Sequence, residues 1–252
     1  MTASSDSVVT VEPTATVEST VTALPAVLAV PAVLVASGLI KRFGQTEALR
    51  GVDFSLARGE VVAVMGPSGS GKSTLLHCLA GILPPDGGSV TFEGARIDNL
   101  GEGDRSRLRR TAFGFVFQFG QLVPELSALE NVSLPLLLNG VRRSVAEAAA
   151  AEWFPRLGLD GMERRRPGEM SGGQSQRVAV ARALVTEPSV IFADEPTGAL
   201  DTIAGEQVME LLTSAAAQQN TSVLLVTHEA RVAAFAEREI VVRDGRVSGS
   251  AR

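Results

Sequence analysis

The chain has 252 residues, 45% hydrophobic and 20% charged, enough apolar material for one globular unit with a sizeable core and too much for a chain disordered throughout. Its 23 Lys and Arg against 28 Asp and Glu leave a formal net charge of −5, so no strong overall field draws in nucleic acid or an anionic membrane, and any phosphate chemistry must be local. The single cysteine, Cys78, excludes an intrachain disulfide and a thiolate-rich metal site and suits a reducing compartment.

Residues 1–36 are rich in Ser, Thr, Val, Ala and Pro and carry no helix or strand period. They read as a tail, with a soft boundary at residue 37, or with Val33 to Ser37 leading into the first strand. Residues 21–37 are largely apolar, but Pro25 and Pro31 interrupt them, and a spanning helix needs about 20 apolar residues. Nothing before Lys41 is basic, so no secretory leader is expected.

From there short apolar runs alternate with amphipathic stretches. Glu60-Val61-Val62-Ala63-Val64-Met65 is a strand, followed by a glycine turn and a helix over residues 72–83. Residues 89–92 and 113–117 read as strands. Val190-Ile191-Phe192-Ala193 and Val223-Leu224-Leu225-Val226 do not alternate, as expected of strands buried on both faces of a parallel sheet. Residues 126–138, 144–157 and 173–184 read as helices, each with a serine near its start and Glu or Gln three positions on: Ser127/Glu130, Ser144/Glu147 and Ser171/Gln174, the spacing of a capping box. The fold class is α/β, with a mostly helical block interrupting the strands.

Gly66-Pro67-Ser68-Gly69-Ser70-Gly71-Lys72-Ser73-Thr74 matches the phosphate-loop pattern G-x-x-x-x-G-K-[ST] in the required context, after a strand and opening a helix. Its glycines let successive N–H groups point at phosphate oxygens, and the helix N-terminus adds partial positive charge. Lys72, one of only two lysines, is expected at the β- and γ-phosphates and the Ser73 hydroxyl on Mg²⁺. Asp194 and Glu195 directly follow a buried strand; Asp194 is the candidate to hold the metal and Glu195 to orient and deprotonate the attacking water.

The order of these motifs resembles the nucleotide-binding subunit of ABC transporters from Leu39 to Val247. Met170-Ser171-Gly172-Gly173-Gln174 looks like the family signature, usually written with Leu first; Met170 keeps the apolar bulk. The resemblance implies an ABC-type P-loop NTPase with a mostly parallel core sheet, an antiparallel β subdomain and a helical signature subdomain at about residues 119–180, within a domain of residues 37–252. It also implies that Ser171, Gly172, Gly173 and Gln174 serve a nucleotide held by a second cassette, so that two chains, as a homodimer, sandwich two ATP molecules. By the same resemblance Gln118 ligates the metal and reports nucleotide state, Asp201 belongs to a loop crossing the dimer interface, and His228 contacts the γ-phosphate and attacking water. Phe43 stacks on adenine, where the family more often has Tyr, and Gly198 stands where it more often has Ser. His77, Cys78 and Trp153 read as packing residues and Arg164-Arg165-Arg166 as a solvated charge run.

The function so implied is ATP hydrolysis driving a separate integral membrane permease from the cytoplasmic face of the membrane, with ATP and Mg²⁺ as cofactors and no nucleic-acid partner. The coupling surface is expected around Gln118 to Leu138, where the sequence resembles the lipoprotein-release, macrolide-export and cell-division branch, which implies export or extraction. The alternative is an ABC-type ATPase that moves a protein partner without transport.

Overall fold

The computed structural model describes Met1 and residues 31–251; the tail predicted before residue 37 lies, over residues 2–30, outside the described residues. Its expected boundary falls inside a strand, because β1 runs Ala32–Phe43 and its first residues already pair with β2, Thr46–Ala57. Val33, Leu34 and Ala36 are buried there, so these apolar residues belong to the core.

In chain order there follow β3 (Val61–Met65), α1 (Lys72–Leu79), β4 (Gly87–Phe92), β5 (Ala95–Arg96), α2 (Glu102–Thr111), β6 (Phe113–Phe117) and α3 (Ala128–Leu138). Next come α4 (Arg143–Ala151), α5 (Trp153–Leu157), α6 (Gly172–Leu184), β7 (Val190–Asp194), α7 (Thr202–Gln219), β8 (Ser222–Val226), α8 (Ala230–Ala233), β9 (Arg238–Arg243) and β10 (Arg246–Ala251). One sheet has the order β10-β9-β3-β8-β7-β6. It is parallel from β9 to β6, with β10 antiparallel at its edge. A second, antiparallel sheet has the order β2-β1-β4-β5.

The large sheet is covered on both faces, which is why β7 and β8 carry no polar alternation. Phe192, Leu224 and Val64 face a core shared with the antiparallel sheet and α1. Ile191, Ala193, Val223 and Leu225 face the opposite core, built from α6, α7 and the helical block.

Two of the three anticipated capping boxes form, at Ser127/Glu130 before α3 and Ser171/Gln174 before α6. The third does not. Helix α4 starts one residue before Ser144, its N-cap is Arg142 with no side-chain hydrogen bond, and Glu147 pairs with Arg143 at 2.9 Å instead. The helix expected over residues 144–157 is two helices, with Pro155 in the first turn of the second, where a missing N–H costs little. Among the described residues no helix is long and apolar enough to cross a membrane.

Candidate nucleotide site

Beyond β3 the backbone turns through Gly66 at φ +145°, Gly69 at +76° and Gly71 at +108°, conformations that residues with a Cβ avoid. Two of these glycines also lack room. A Cβ on Gly66 would overlap the Val242 carbonyl oxygen of β9, and one on Gly71 would lie 2.5 Å from the Ala48 carbonyl oxygen of β2. Gly245, in the β9–β10 turn, donates its N–H to Ser70 O at 3.0 Å and accepts from Arg50 N–H at 2.8 Å, so both sheets hold the loop in shape.

Gly71 is the N-cap of α1 and makes no side-chain cap hydrogen bond, which leaves the first-turn N–H groups to a ligand. Pro67, Ser68 and Gly69 are exposed at the loop's crest. Lys72 is buried, and its Nζ donates to the carbonyls of Gly66 and Pro67, both at 2.9 Å. The buried Ser70 Oγ has no hydrogen-bond partner among the described residues. A buried ammonium folded onto its own loop and an unpaired hydroxyl beside it suit an anion, since buried polar groups need partners.

Sheet register carries the remaining groups to the same edge. Phe117 pairs with Asp194, Asp194 with Val226, and Val226 with Val64. The loops bearing Gln118, Glu195, His228 and the phosphate loop therefore leave the carboxyl ends of four adjacent parallel strands, where open α/β sheets bind ligands. The Ser73 hydroxyl lies 3.3 Å from Asp194 Oδ1 and donates to it. Burial pushes the Asp194 carboxyl above its ordinary range, opposed by that hydrogen bond and by the nearby His77 charge. A desolvated carboxylate beside a hydroxyl is a hard-oxygen donor set suited to Mg²⁺, which takes few protein ligands and completes its shell with water and phosphate.

Glu195 sits at φ +47°, held there because its N–H donates to Val226 O at 2.9 Å and its carbonyl accepts from Gly198 N–H at 3.1 Å. Its Oε1 is 3.0 Å from His228 Nδ1. Gln118 is half-buried against Gly198, where a Cβ would approach its Nε2 to 2.8 Å. That contact is a physical reason for glycine at 198, because a serine there would displace the Gln118 amide.

The other predicted residues form a second cluster. Ser171 Oγ accepts from Gln174 N–H at 3.3 Å while Gln174 Oε1 accepts from Ser171 N–H at 2.8 Å, closing the cap of α6. Asp201 caps α7 by accepting from Ala204 N–H at 2.9 Å. The two caps adjoin, since a Cβ on Gly172 would lie 3.4 Å from Leu200 and one on Gly173 3.2 Å from Ala204. Among the described residues neither cap hydrogen-bonds to the chain's own phosphate loop. Phe43, at the tip of the β1–β2 hairpin, is 50% exposed with Lys41 Nζ 5.7 Å from its ring centroid. Gln176 and Arg182 escaped sequence reasoning as functional residues, although both tie α6 to the site's loops.

A phosphate loop, an acidic strand end and a histidine on adjacent parallel strands, with a capped glycine turn opening α6, define a nucleotide-hydrolysing cassette. The ABC transporter family model matches residues 49–198, and the chain belongs to that family as its ATP-binding, ATP-hydrolysing subunit. It is 46% identical over 201 residues to the lipoprotein-releasing system ATP-binding protein LolD of Hydrogenovibrio crunogenus, covering 80% of this chain and 87% of that protein. Its fold is similar to the dimeric, ADP- and Pi-bound post-hydrolysis state of the ATP-binding cassette MJ0796, with a TM-score of 0.80, 37% identity, and coverage of 87% of this chain and 98% of that one. It is also similar to cbiO1 of Clostridium perfringens, part of the ABC transporter complex cbiONQ, with a TM-score of 0.79, 29% identity, and coverage of 87% and 88%.

Proposed function

We propose that two copies of this chain close on two ATP molecules and thereby drive a separate integral membrane permease of the export or extraction kind, with lipoprotein release the best-supported task. The likeness to LolD supports the task, and the dimeric cassette MJ0796 supports the pairing. The carrying observation is the split site. The phosphate loop, Asp194, Glu195 and His228 gather at one sheet edge, while the exposed Ser171 and Asp201 caps, among the described residues, make no hydrogen bond to that phosphate loop. An N–H-rich helix start with an exposed glycine turn suits a phosphate held by a second copy.

In this reading the backbone from Gly66 to Thr74 cradles the phosphates and Lys72 exchanges its two carbonyl contacts for phosphate oxygens. Phe43 offers an exposed ring to the base. Ser73, Asp194 and Gln118 would hold Mg²⁺, which when bound would neutralise charge on the phosphates. Glu195 takes the proton of the attacking water, and His228, hydrogen-bonded to it, keeps the carboxylate oriented and faces the γ-phosphate. Ser171, Gly172, Gly173 and Gln174 lid the nucleotide of the other copy, with Asp201 beside them.

Coupling to the permease falls to the helical block at about residues 119–180, on the cytoplasmic face of the membrane. A 680 Å³ groove where that block meets α2 and β6 is lined by Phe117, Gln121, Leu134 and Leu138 with Arg109 and Arg110. Phe119 and Leu138, 72% and 59% exposed, stand within the Gln118 to Leu138 stretch. An apolar groove with a basic wall, one residue from Gln118, suits a permease loop whose position would track nucleotide state. Affinity capture of the full chain from solubilised membranes tests this reading: a multi-span protein with a large external domain should copurify, and capture without any integral membrane protein would contradict it.

A further inference from the structure

We infer that Gln176 is a positioning residue for hydrolysis: through one carboxamide it fixes the spacing between the loop that carries Gln118 and the loop that carries Glu195. The inference rests on the ATPase reading of those two loops and adds to it a residue that touches neither nucleotide nor water.

Gln176 lies in the second turn of α6 and is 2% exposed. Its Nε2 donates to Phe117 O at 2.8 Å and to Pro196 O at 2.6 Å. Both partners are carbonyl oxygens, so only the NH₂ end of the amide satisfies them, and its two protons are both engaged. The two carbonyls belong to the residue before Gln118 and the residue after Glu195. The β6–β7 ladder ends at the pair Phe117 and Asp194, and among the described residues no strand pairing joins the two segments beyond it. Gln176 takes the place of the next rung, from a third element.

The same helix grips the Gln118 loop further along. Arg182 donates to Gly120 O at 2.7 Å and to Gln121 O at 2.9 Å. Gly120, at φ +66°, lies so close to α6 that a Cβ would stand 3.3 Å from Gln176 Oε1 and 3.4 Å from Ser175 O. Arg182 reaches only the Gln118 loop, whereas Gln176 reaches both loops.

Two features make that link consequential. Glu195 is held at a positive φ, a strained state that persists only when its surroundings over-determine it; the fixed carbonyl of Pro196, the next residue, is one of those determinants. The helix carrying Gln176 begins at the Ser171 cap, the segment read above as the lid of the other copy's nucleotide. Movement of that lid on closure is therefore passed by one side chain to both Gln118 and Glu195.

The test uses Gln176→Met and Gln176→Glu in the full chain, with ATP affinity by equilibrium binding and turnover by phosphate release. Met removes both hydrogen bonds at similar volume, and Glu keeps the shape while turning the donor into an acceptor facing two acceptors. For both, kcat should fall about 10- to 100-fold while the Kd for ATP stays within about twofold, as expected when reacting groups are misplaced by a fraction of an ångström. Turnover within about twofold of wild type, or a parallel loss of ATP affinity, would overturn the inference. If Gln176→Met is unfolded by circular dichroism, the near-isosteric Gln176→Glu decides alone. Absence of turnover in the wild type would instead count against the ATPase reading.

Discussion

Alanine at Gly66 should damage the fold itself, before any nucleotide is added. At φ +145° a non-glycine residue is strained, at a cost of about 1–3 kcal/mol. The new methyl would also overlap the Val242 carbonyl, a backbone atom of a strand paired on both sides that cannot swing aside as a side chain would, and overpacking of that kind costs about 1–3 kcal/mol. The sum, roughly 2–6 kcal/mol, is a large part of the 5–15 kcal/mol that typically holds a domain together. At about 2–4 °C per kcal/mol for a chain of this size, the melting temperature should drop by roughly 5–20 °C. Gly69→Ala is the matched comparison, because Gly69 also has a positive φ but nothing lies within 4 Å of its would-be Cβ. Thermal melts of the two nucleotide-free variants, followed by circular dichroism, separate the two contributions. A Gly66→Ala melting temperature no lower than that of Gly69→Ala would refute the claim that the phosphate loop is moulded against β9.

Lys72→Ala removes an ammonium whose hydrogen bonds to phosphate are charge-assisted and worth about 1.5–3 kcal/mol, so the Kd for ATP should rise about 10- to 100-fold by isothermal titration calorimetry. Ser127→Ala breaks the capping box before α3 and should cost about 1 kcal/mol in urea unfolding. The Ser127 N–H and then its hydroxyl hold the Glu130 carboxyl below its ordinary range. That contribution to stability is fully present above the unfolded pKa and lost as pH falls through the folded one, so the gap between wild type and Ser127→Ala should narrow in unfolding experiments below about pH 4.

The parts of the chain legible in the sequence are those whose signal is local. Strands β3, β7 and β8 announce themselves as unbroken apolar runs because both faces are covered, and the phosphate loop is a contiguous pattern flanked by the strand and helix it requires. Strands β1 and β2 were not legible as a twelve-residue pair: Gly38 and Gly51 break their alternation, and register shifts interrupt their pairing. Helix α2 hides for a different reason, since none of its residues is buried and an apolar period has nothing to record. Ser144 shows the limit of motif spacing, for the Ser-x-x-Glu pattern is present but the chain enters the helix before it. Within the site, Asp194 and Glu195 could be picked out from a strand end beside the phosphate loop, and His228 by the family resemblance. Gln176 could not, because its partners lie 59 and 20 positions away in the chain and only the packing of α6 across two strand ends brings them together.

The proposed function requires that ATP be enclosed between two copies and hydrolysed with Glu195 as the base. Glu195→Gln keeps the side-chain shape beside His228 but cannot accept the water's proton, and loss of a general base lowers turnover about 10²- to 10⁴-fold. Size-exclusion chromatography with light scattering, run on Glu195→Gln with and without MgATP, measures both halves of the claim when the bound nucleotide is assayed from the same fractions. The variant should run as a dimer retaining unhydrolysed ATP when MgATP is present and as a monomer without it. A monomer in saturating MgATP, or a dimer whose nucleotide is recovered as ADP at the wild-type rate, would contradict it.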